Sequence, residues 1–320
     1  MLACFSVAAT HHYLIHGLVV ASEVELPAPR VEPRRADVTY RVALDATLPP
    51  SSQSRTDDAT DPWYVEHWMN GRLAVEFPQQ ATFEVSRTEV ALVQDGAGDS
   101  NLVMHLLLAH VLPRVVSLRG DLMLHAAGAV GPSGRAHLFL GKTGAGKSTI
   151  VTELVAGGWS LLDDDGVRVT DTTDGLRAVP GAAGVRLLPD AAAALVADVE
   201  PGPPIAHGHP KRRFAADGRR LRVAAEPAPI VGLYLLERAA RRGPSLTRLR
   251  FARALSTIAE HGFHLADEPT SIPRQAFERA SRLAAEAPVW RLSSPSGLDD
   301  LAATGRLLAR LDTNDGDYSA

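Results

Sequence analysis

The sequence is poor in the residues that would declare a compartment. Its single cysteine, Cys4, excludes an internal disulfide and leaves no mark of an oxidising environment. No long apolar run stands at the amino end, where "YLIHGLVVA" is too short to span a bilayer. No basic segment precedes it, which argues against a signal peptide, so a cytoplasmic location is expected. A net charge of −4 gives no global reason to expect nucleic acid or an acidic membrane as partner. Aromatic residues are sparse at 5%.

Lysine is the most telling scarcity. Of 33 basic residues only three are lysines, Lys142, Lys147 and Lys211. In a chain that otherwise uses arginine, a retained lysine marks a place for a compact ammonium on a thin stem. Otherwise the composition, 45% apolar and 22% charged over 320 residues, is that of one large or two ordinary globular domains.

The first hundred or so residues read as β-rich. "HHYLIHGLVVASEVEL", "VTYRVAL", "WYVEHWM", "RLAVEF" and "TFEVS" have strand composition. Leu48–Pro62 reads as a polar, mobile loop, and Asn70-Gly71 as a hairpin turn. "NLVMHLLLAHVLPRVVSLRG" reads as a helix interrupted by Pro113. The character changes after Leu118, where a domain boundary is expected. The reading gives a β-rich domain over 1–118 suited to substrate recognition, a catalytic domain over 119–312, and a frayed tail at 313–320. Within the second part, helices are expected from Lys147 to about Ala156 and at 251–262, 272–286 and 297–311. "PIVGLYLLE" reads as a buried strand.

The run Gly141-Lys142-Thr143-Gly144-Ala145-Gly146-Lys147-Ser148 satisfies G-x-x-x-x-G-K-[ST] in full, after an apolar strand and before a helix. Its glycines let backbone N–H groups turn toward phosphate oxygens at a helix start that favours anions. Lys147 is expected to reach the outer phosphates of ATP, and the Ser148 hydroxyl to bind Mg²⁺. Fifteen residues separate Lys147 from Asp163-Asp164-Asp165. Three adjacent carboxylates repel one another, and the strand before them is expected to deliver them to the sheet edge beside the phosphates. One can hold Mg²⁺ while another accepts a proton from an incoming hydroxyl. A transporter signature such as LSGGQ and a guanine-reading N-K-x-D are both lacking. His125, at a strand end just before the phosphate loop's own strand, can face the transferred phosphate or an aspartate.

These residues carry a resemblance. "LHAAGAV…LFLGKTGAGKST…WSLLDDDGVRV" resembles the HPr kinase/phosphorylase superfamily, whose fold is related to PEP carboxykinase. More narrowly, "YLIHGLVVASEVELP", "SLRGDLMLHAAGAV", "GVRLLPDAAAAL", "KRRF" and "PVWRLSSP" are similar to HPr-kinase-like proteins of lasso-peptide gene clusters. The resemblance implies an α/β (α+β) fold in which a P-loop kinase domain joins a smaller β-rich amino-terminal domain. It also implies an ATP- and Mg²⁺-dependent kinase that phosphorylates a serine hydroxyl of a peptide, a lasso-peptide precursor. Asp164 then matches the general base, Asp165 the carboxylate nearer the metal, and His125 the histidine beside the reacting phosphate.

Thr149 stands where the HPr kinases carry glutamate, and their amino-terminal domain is not recognisable. HPr as substrate and phosphorolysis are therefore not expected. Lys211, Arg212 and Arg213 form a basic loop able to close over phosphates, with Lys211 and Arg213 expected to touch nucleotide. Arg186 is a weaker phosphate-contact candidate. His207 and His209 read as loop residues, and the arginines at 238, 241, 242, 248, 250 and 253 as a basic surface. Two other readings stay open: kinase of a small-molecule alcohol or sugar, and a nucleotide-binding regulator without catalysis. A homo-oligomer is also left open.

Overall fold

The computed structural model describes residues 10–44, 55–56, 63–69, 71–96, 98–238, 243–263, 265, 272–295, 297–298 and 300–313. Apolar side chains on one face of the early strands draw them into an eight-stranded sheet. It comprises β1 (His11–Ile15), β2 (Leu18–Ser22), β3 (Val38–Val42), β4 (Arg55–Thr56), β5 (Val65–Met69), β6 (Arg72–Phe77), β7 (Ala81–Val85) and β8 (Glu89–Asp95). The order is β1-β2-β3-β8-β7-β6-β5-β4, with β3 parallel to both neighbours. Of Leu48–Pro62 only Arg55 and Thr56 are described, and they pair with Glu66 and Val65. Asn70 lies outside the described residues, but Met69 pairs with Arg72 across it and Gly71 has a φ of 77°.

The β1–β2 turn meets the second half of the chain. His16 and Gly17 take φ values of 50° and 71°, the mirror-image turn that matches strand twist. A left-handed histidine is uncommon, and this one is held from outside: Arg168 Nη1 donates to the His16 carbonyl at 2.7 Å.

A helix covers the sheet. It runs as α1 (Ser100–Leu106), a π turn (Leu107–Val111) and α2 (Leu112–Leu118). Asp99 caps it, its Oδ1 accepting from the N–H groups of Asn101 and Leu102. Pro113 does not interrupt it. The proline falls in the first turn of α2, directly after the π turn has changed the hydrogen-bond register, where a missing N–H costs least. The helix is long and apolar enough to cross a bilayer, yet most of it is buried. Leu106, Leu107, Val111 and Val115 pack with Tyr13, Val38, Phe77 and Phe83 in one core.

The rest of the chain forms β9 (Leu122–Leu124), β10 (Ala127–Val130), β11 (Ala136–Leu140), α3 (Lys147–Ala156), β12 (Ser160–Asp163), β13 (Val167–Thr172) and β14 (Gly175–Val179). It continues through β15 (Gly184–Leu187), α4 (Pro189–Leu195), β16 (Arg212–Ala215), β17 (Ala228–Arg238), β18 (Ser245–Arg248), α5 (Phe251–Glu260), α6 (Ile272–Glu286), β19 (Val289–Ser294) and α7 (Leu301–Thr313). The second sheet has the order β12-β10-β11-β17-β14-β13-β9, with β19 also on β17 and β18 beyond it. Strand β17 serves three neighbours, β14 near its start and β11 and β19 along the rest. Helix α3 packs with Phe139, Leu161, Trp290 and Leu308 in a second core. The fold is mixed α/β. Strands β15, β16 and β18 have no counterpart in the sequence reading, because charged residues in each break the apolar alternation.

The last helix is locked by a buried polar cluster. Asp312 Oδ1 accepts from the Ser133 hydroxyl and lies 3.2 Å from His137 Nε2, and Oδ2 accepts from the Ser133 N–H at 3.0 Å. His137 Nδ1 is 3.0 Å from the Tyr234 hydroxyl. Burial acts against ionisation of Asp312, but His137 and Ser133 outweigh it and hold the carboxyl below its ordinary value. A depressed acid stabilises the fold above its unfolded pKa of ~3.9, and that contribution is lost as pH falls through the lower folded value. Asp312→Ala is therefore expected to cost about 3 kcal/mol at neutral pH. The deficit should shrink in strong acid by the part that depends on the ionised carboxylate, measured by denaturant unfolding across pH.

Candidate active site

Strand directions gather the site at one sheet edge. β10 is antiparallel to both β11 and β12, which flank it, so β11 and β12 end on the same side. The start of β10 lies there too, with Ala127 opposite Phe139 and Gly128 opposite Asp163. β17 runs parallel to β11 and ends beyond it at the same edge. The phosphate loop, the aspartate run, His125 and Arg238 thus converge from four strand ends.

The loop between β11 and α3 is shaped by its glycines. Gly144 and Gly146 have φ values of 81° and 103°, a region costly for any residue with a Cβ. Gly146 is the N-cap of α3 and offers no side chain to the helix's first N–H groups. Those groups are left for an anion. Lys147 Nζ donates to the Gly141 carbonyl at 2.6 Å and lies 3.2 Å from His125 Nε2. Since the ammonium can only donate, His125 Nε2 accepts, and the neutral ring carries its proton on Nδ1. That Nδ1 is 3.6 Å from Asp165 Oδ1. Burial lowers the pKa of both His125 and Lys147, with Asp165 opposing in each case.

The three aspartates have three different environments. Asp163 is a structural brace. Its Oδ1 accepts the N–H groups of Asp164 (2.6 Å), Asp165 (2.9 Å) and Gly166 (3.4 Å), and its Oδ2 that of Ala182 (2.7 Å). Gly181 leaves room for this carboxylate, which a Cβ there would overlap. Asp164 is 2% exposed. Its Oδ2 accepts the Arg186 backbone N–H at 2.8 Å, while its Oδ1 is buried without a well-formed hydrogen bond. Burial pushes the Asp164 carboxyl up; Arg186 opposes this, and the neighbouring Ser148 hydroxyl opposes it more weakly. Asp165 differs again. Burial would raise it, but Arg186, His125, His110 and His105 prevail and hold it well below the usual carboxylate range.

Arg186 ties the acids together. Its Nε lies 3.4 Å from Asp164 Oδ2 and its Nη1 3.1 Å from Asp165 Oδ2. The same Nη1 is 3.4 Å from His105 Nδ1, on the helix of the first sheet. Arg213 sits directly across the β15–β16 pair from Arg186. Burial and that like-charged neighbour push it down to about 10.

One cleft collects most of the sequence candidates. His125, Lys142, Thr143, Gly144, Gly146, Lys147, Ser148, Thr149, Asp165 and Lys211 line it. Its enclosed volume is about 170 Å³, smaller than the ~300–1,000 Å³ of typical small-molecule sites. Asp164, buried, is not among the residues that line it. His207 and His209 stay apart: the His207 N–H caps onto Asp99, and His209 Nδ1 accepts from the Lys211 N–H. Arg253 pairs with Glu260, and Arg241 and Arg242 lie outside the described residues.

Two further lining residues are Arg186, the weaker phosphate-contact candidate, and Arg238, read from sequence only as part of a basic surface. Arg238 donates to the Gly144 carbonyl at 2.8 Å. The sequence signal for Arg186 is a lone charge inside an apolar strand; for Arg238, a charge ending a buried one.

The donor set fits a nucleotide triphosphate with Mg²⁺. The uncapped start of α3 and Lys147 suit phosphate, and a hydroxyl with an ionised carboxylate suits magnesium. Among the described residues no three His, Cys, Asp or Glu side chains are arranged to hold a metal by themselves. Magnesium does not require that, since it takes one or two carboxylates alongside phosphate oxygens.

No protein-family model and no curated protein matches the chain. Among solved structures, the HPr(Ser) kinase/phosphatase from Coxiella burnetii is similar at 13% identity, over 59% of this chain and 92% of that one, with a TM-score of 0.31. The likeness is remote.

Proposed function

We propose that the chain is an ATP-dependent kinase that moves the terminal phosphoryl group onto a serine hydroxyl of a peptide. One juxtaposition carries this reading. The uncapped glycine-rich start of α3 and Lys147 stand at the same sheet edge as a buried acid, Asp164, with an oxygen lacking a hydrogen bond. The phosphate loop from Gly141 to Thr149, including Ala145, binds the phosphates, with Lys211 lining the same cleft; Arg213 does not line it and stands across the β15–β16 pair from Arg186. Ser148 and Asp165 are the residues that would hold Mg²⁺, which supplies charge neutralisation at the phosphate oxygens.

Asp164 takes the proton of the acceptor hydroxyl as its oxygen bonds to phosphorus and the bond to ADP breaks. Its raised carboxyl makes it a stronger base than an ordinary aspartate. His125, neutral and accepting from Lys147, steadies that ammonium and turns its Nδ1–H toward Asp165. Acceptor recognition is assigned to the residues up to Leu118, and catalysis to 119–312. The choice of a lasso-peptide precursor rests on the sequence resemblance.

Incubation of the full chain with Mg²⁺ and γ-labelled ATP tests the reading, using serine peptides in parallel with sugars and small alcohols. Label on a serine peptide is the expected result. Label only on a small alcohol or sugar would overturn the peptide acceptor, and ATP binding with transfer to nothing would overturn the kinase itself.

A further inference from the structure

The helix of the first sheet reaches the acids through a local irregularity. His105 and His110 are five residues apart, which on a regular α-helix separates them by about 140° around the axis. The π turn at Leu107–Val111 lies between them. Its i→i+5 register brings them to one side, with ring centroids 5.6 Å apart. Both rings lie within electrostatic reach of Asp165. π turns inside α-helices recur at functional sites, and this one places two imidazoles beside the acids of the second sheet.

The His105–Arg186 contact fixes the chemistry of the pair. A guanidinium has five donors and no acceptor, so at 3.4 Å Nη1 donates and His105 Nδ1 accepts. The imidazole is then neutral with its proton on Nε2. Burial and the Arg186 charge push His105 down to about 3, so protonation does not break this arrangement near neutrality. The Arg186 guanidinium has three neighbours of this kind: Asp164 at Nε, Asp165 at Nη1 and His105 at Nη1. His105 is the neutral one, supplied by the other half of the molecule.

We propose that His105 is a positioning residue: its Nδ1 holds the Arg186 guanidinium across Asp164 and Asp165, so the first sheet's helix completes the catalytic site. This rests on the kinase reading for its consequence but not for its geometry. Arg186 holds Asp164 by its Nε and Asp165, a would-be magnesium ligand, by its Nη1, so the effect falls on transfer first and on Mg·ATP affinity to a smaller extent.

The test uses two substitutions in the full chain. Asparagine places its amide oxygen where Nδ1 stands, whereas glutamine places its amide where Nε2 stands. His105→Asn is expected to keep kcat within about threefold. His105→Gln should lose about tenfold or more in kcat, as orienting partners of site residues typically do, with a smaller change in KM for ATP. Both should melt close to the wild type. Equal kcat in the two variants, or a rise in KM for ATP without loss of kcat, would overturn the proposal.

A second readout needs no turnover. Nitrogen-15 NMR of the nucleotide-free protein is expected to show His105 as the Nε2–H tautomer, with its Nδ1 signal moving in Arg186→Lys. A proton on Nδ1 would overturn the pairing. If the wild type transfers phosphate to no acceptor, the kinase reading fails while the tautomer still decides the His105–Arg186 contact.

Discussion

Replacing Asp164 by asparagine is expected to lower phosphoryl transfer by about 10²–10⁴-fold, the range spanned by a positioned general base. On the proposed reading, Mg·ATP affinity should change by less than about tenfold. The groups assigned to the phosphates are the glycine loop and Lys147, and among the binding groups Asp164 touches only the Ser148 hydroxyl. Burial holds this carboxyl above its ordinary value. A raised acid is destabilising once ionised, since the unfolded chain ionises it more readily at neutral pH. The asparagine keeps an amide oxygen that can accept the Arg186 N–H, so the variant is expected to stay folded, and its thermal melt separates lost chemistry from lost folding. The same shift places the acid limb of the wild-type rate profile above the usual aspartate range. Rate should fall as pH drops through the raised value, and the limb should vanish from the residual activity of the variant. Transfer at the wild-type rate would remove Asp164 from the mechanism.

The second large effect is structural. Asp163→Ala strips the acceptor from the N–H groups of Asp164, Asp165, Gly166 and Ala182, of which those of Asp164 and Gly166 are fully buried. Unsatisfied buried donors cost ~1–3 kcal/mol each and do not add fully, so a loss of about 4 kcal/mol is expected. That corresponds to a fall in Tm of roughly 10 °C. Asp163→Asn should cost less, because its remaining carbonyl oxygen can still accept at one of the two places. Thermal melting of the two variants checks the order. An alanine variant as stable as the asparagine variant would mean that the brace carries little.

The contrast between these neighbours shows what the sequence made legible. The phosphate loop is a local pattern, since its glycines, lysine and serine lie within eight residues and the helix they open follows at once. The aspartate run was also visible as a costly charge cluster. Its division of labour was not, because it is set by partners far along the chain: Ala182 for Asp163, Arg186 for Asp164 and His125 for Asp165. Arg186 drew notice as a phosphate contact, whereas its partners here are carboxylates. The same limit hid Arg238, which meets Gly144 from 94 positions away. His105 was hidden in another way. Helical periodicity puts it and His110 on different faces, and only the π turn brings them together. Pro113 misled for the same reason, because a break expected from an α-helical register falls where that register has already changed.

The most direct test of the central claim is calorimetric titration of the full chain with Mg·ATP, with ATP plus a chelator, and with AMP. A site built from the glycine loop, Lys147, Ser148 and Asp165 should bind Mg·ATP with a dissociation constant in the ~1 μM–1 mM range of working substrates. Affinity should fall by about tenfold or more without magnesium and be lost for AMP, which lacks the outer phosphates. Equal affinity for AMP and Mg·ATP, or none for either, would contradict a phosphate-transfer site at this sheet edge.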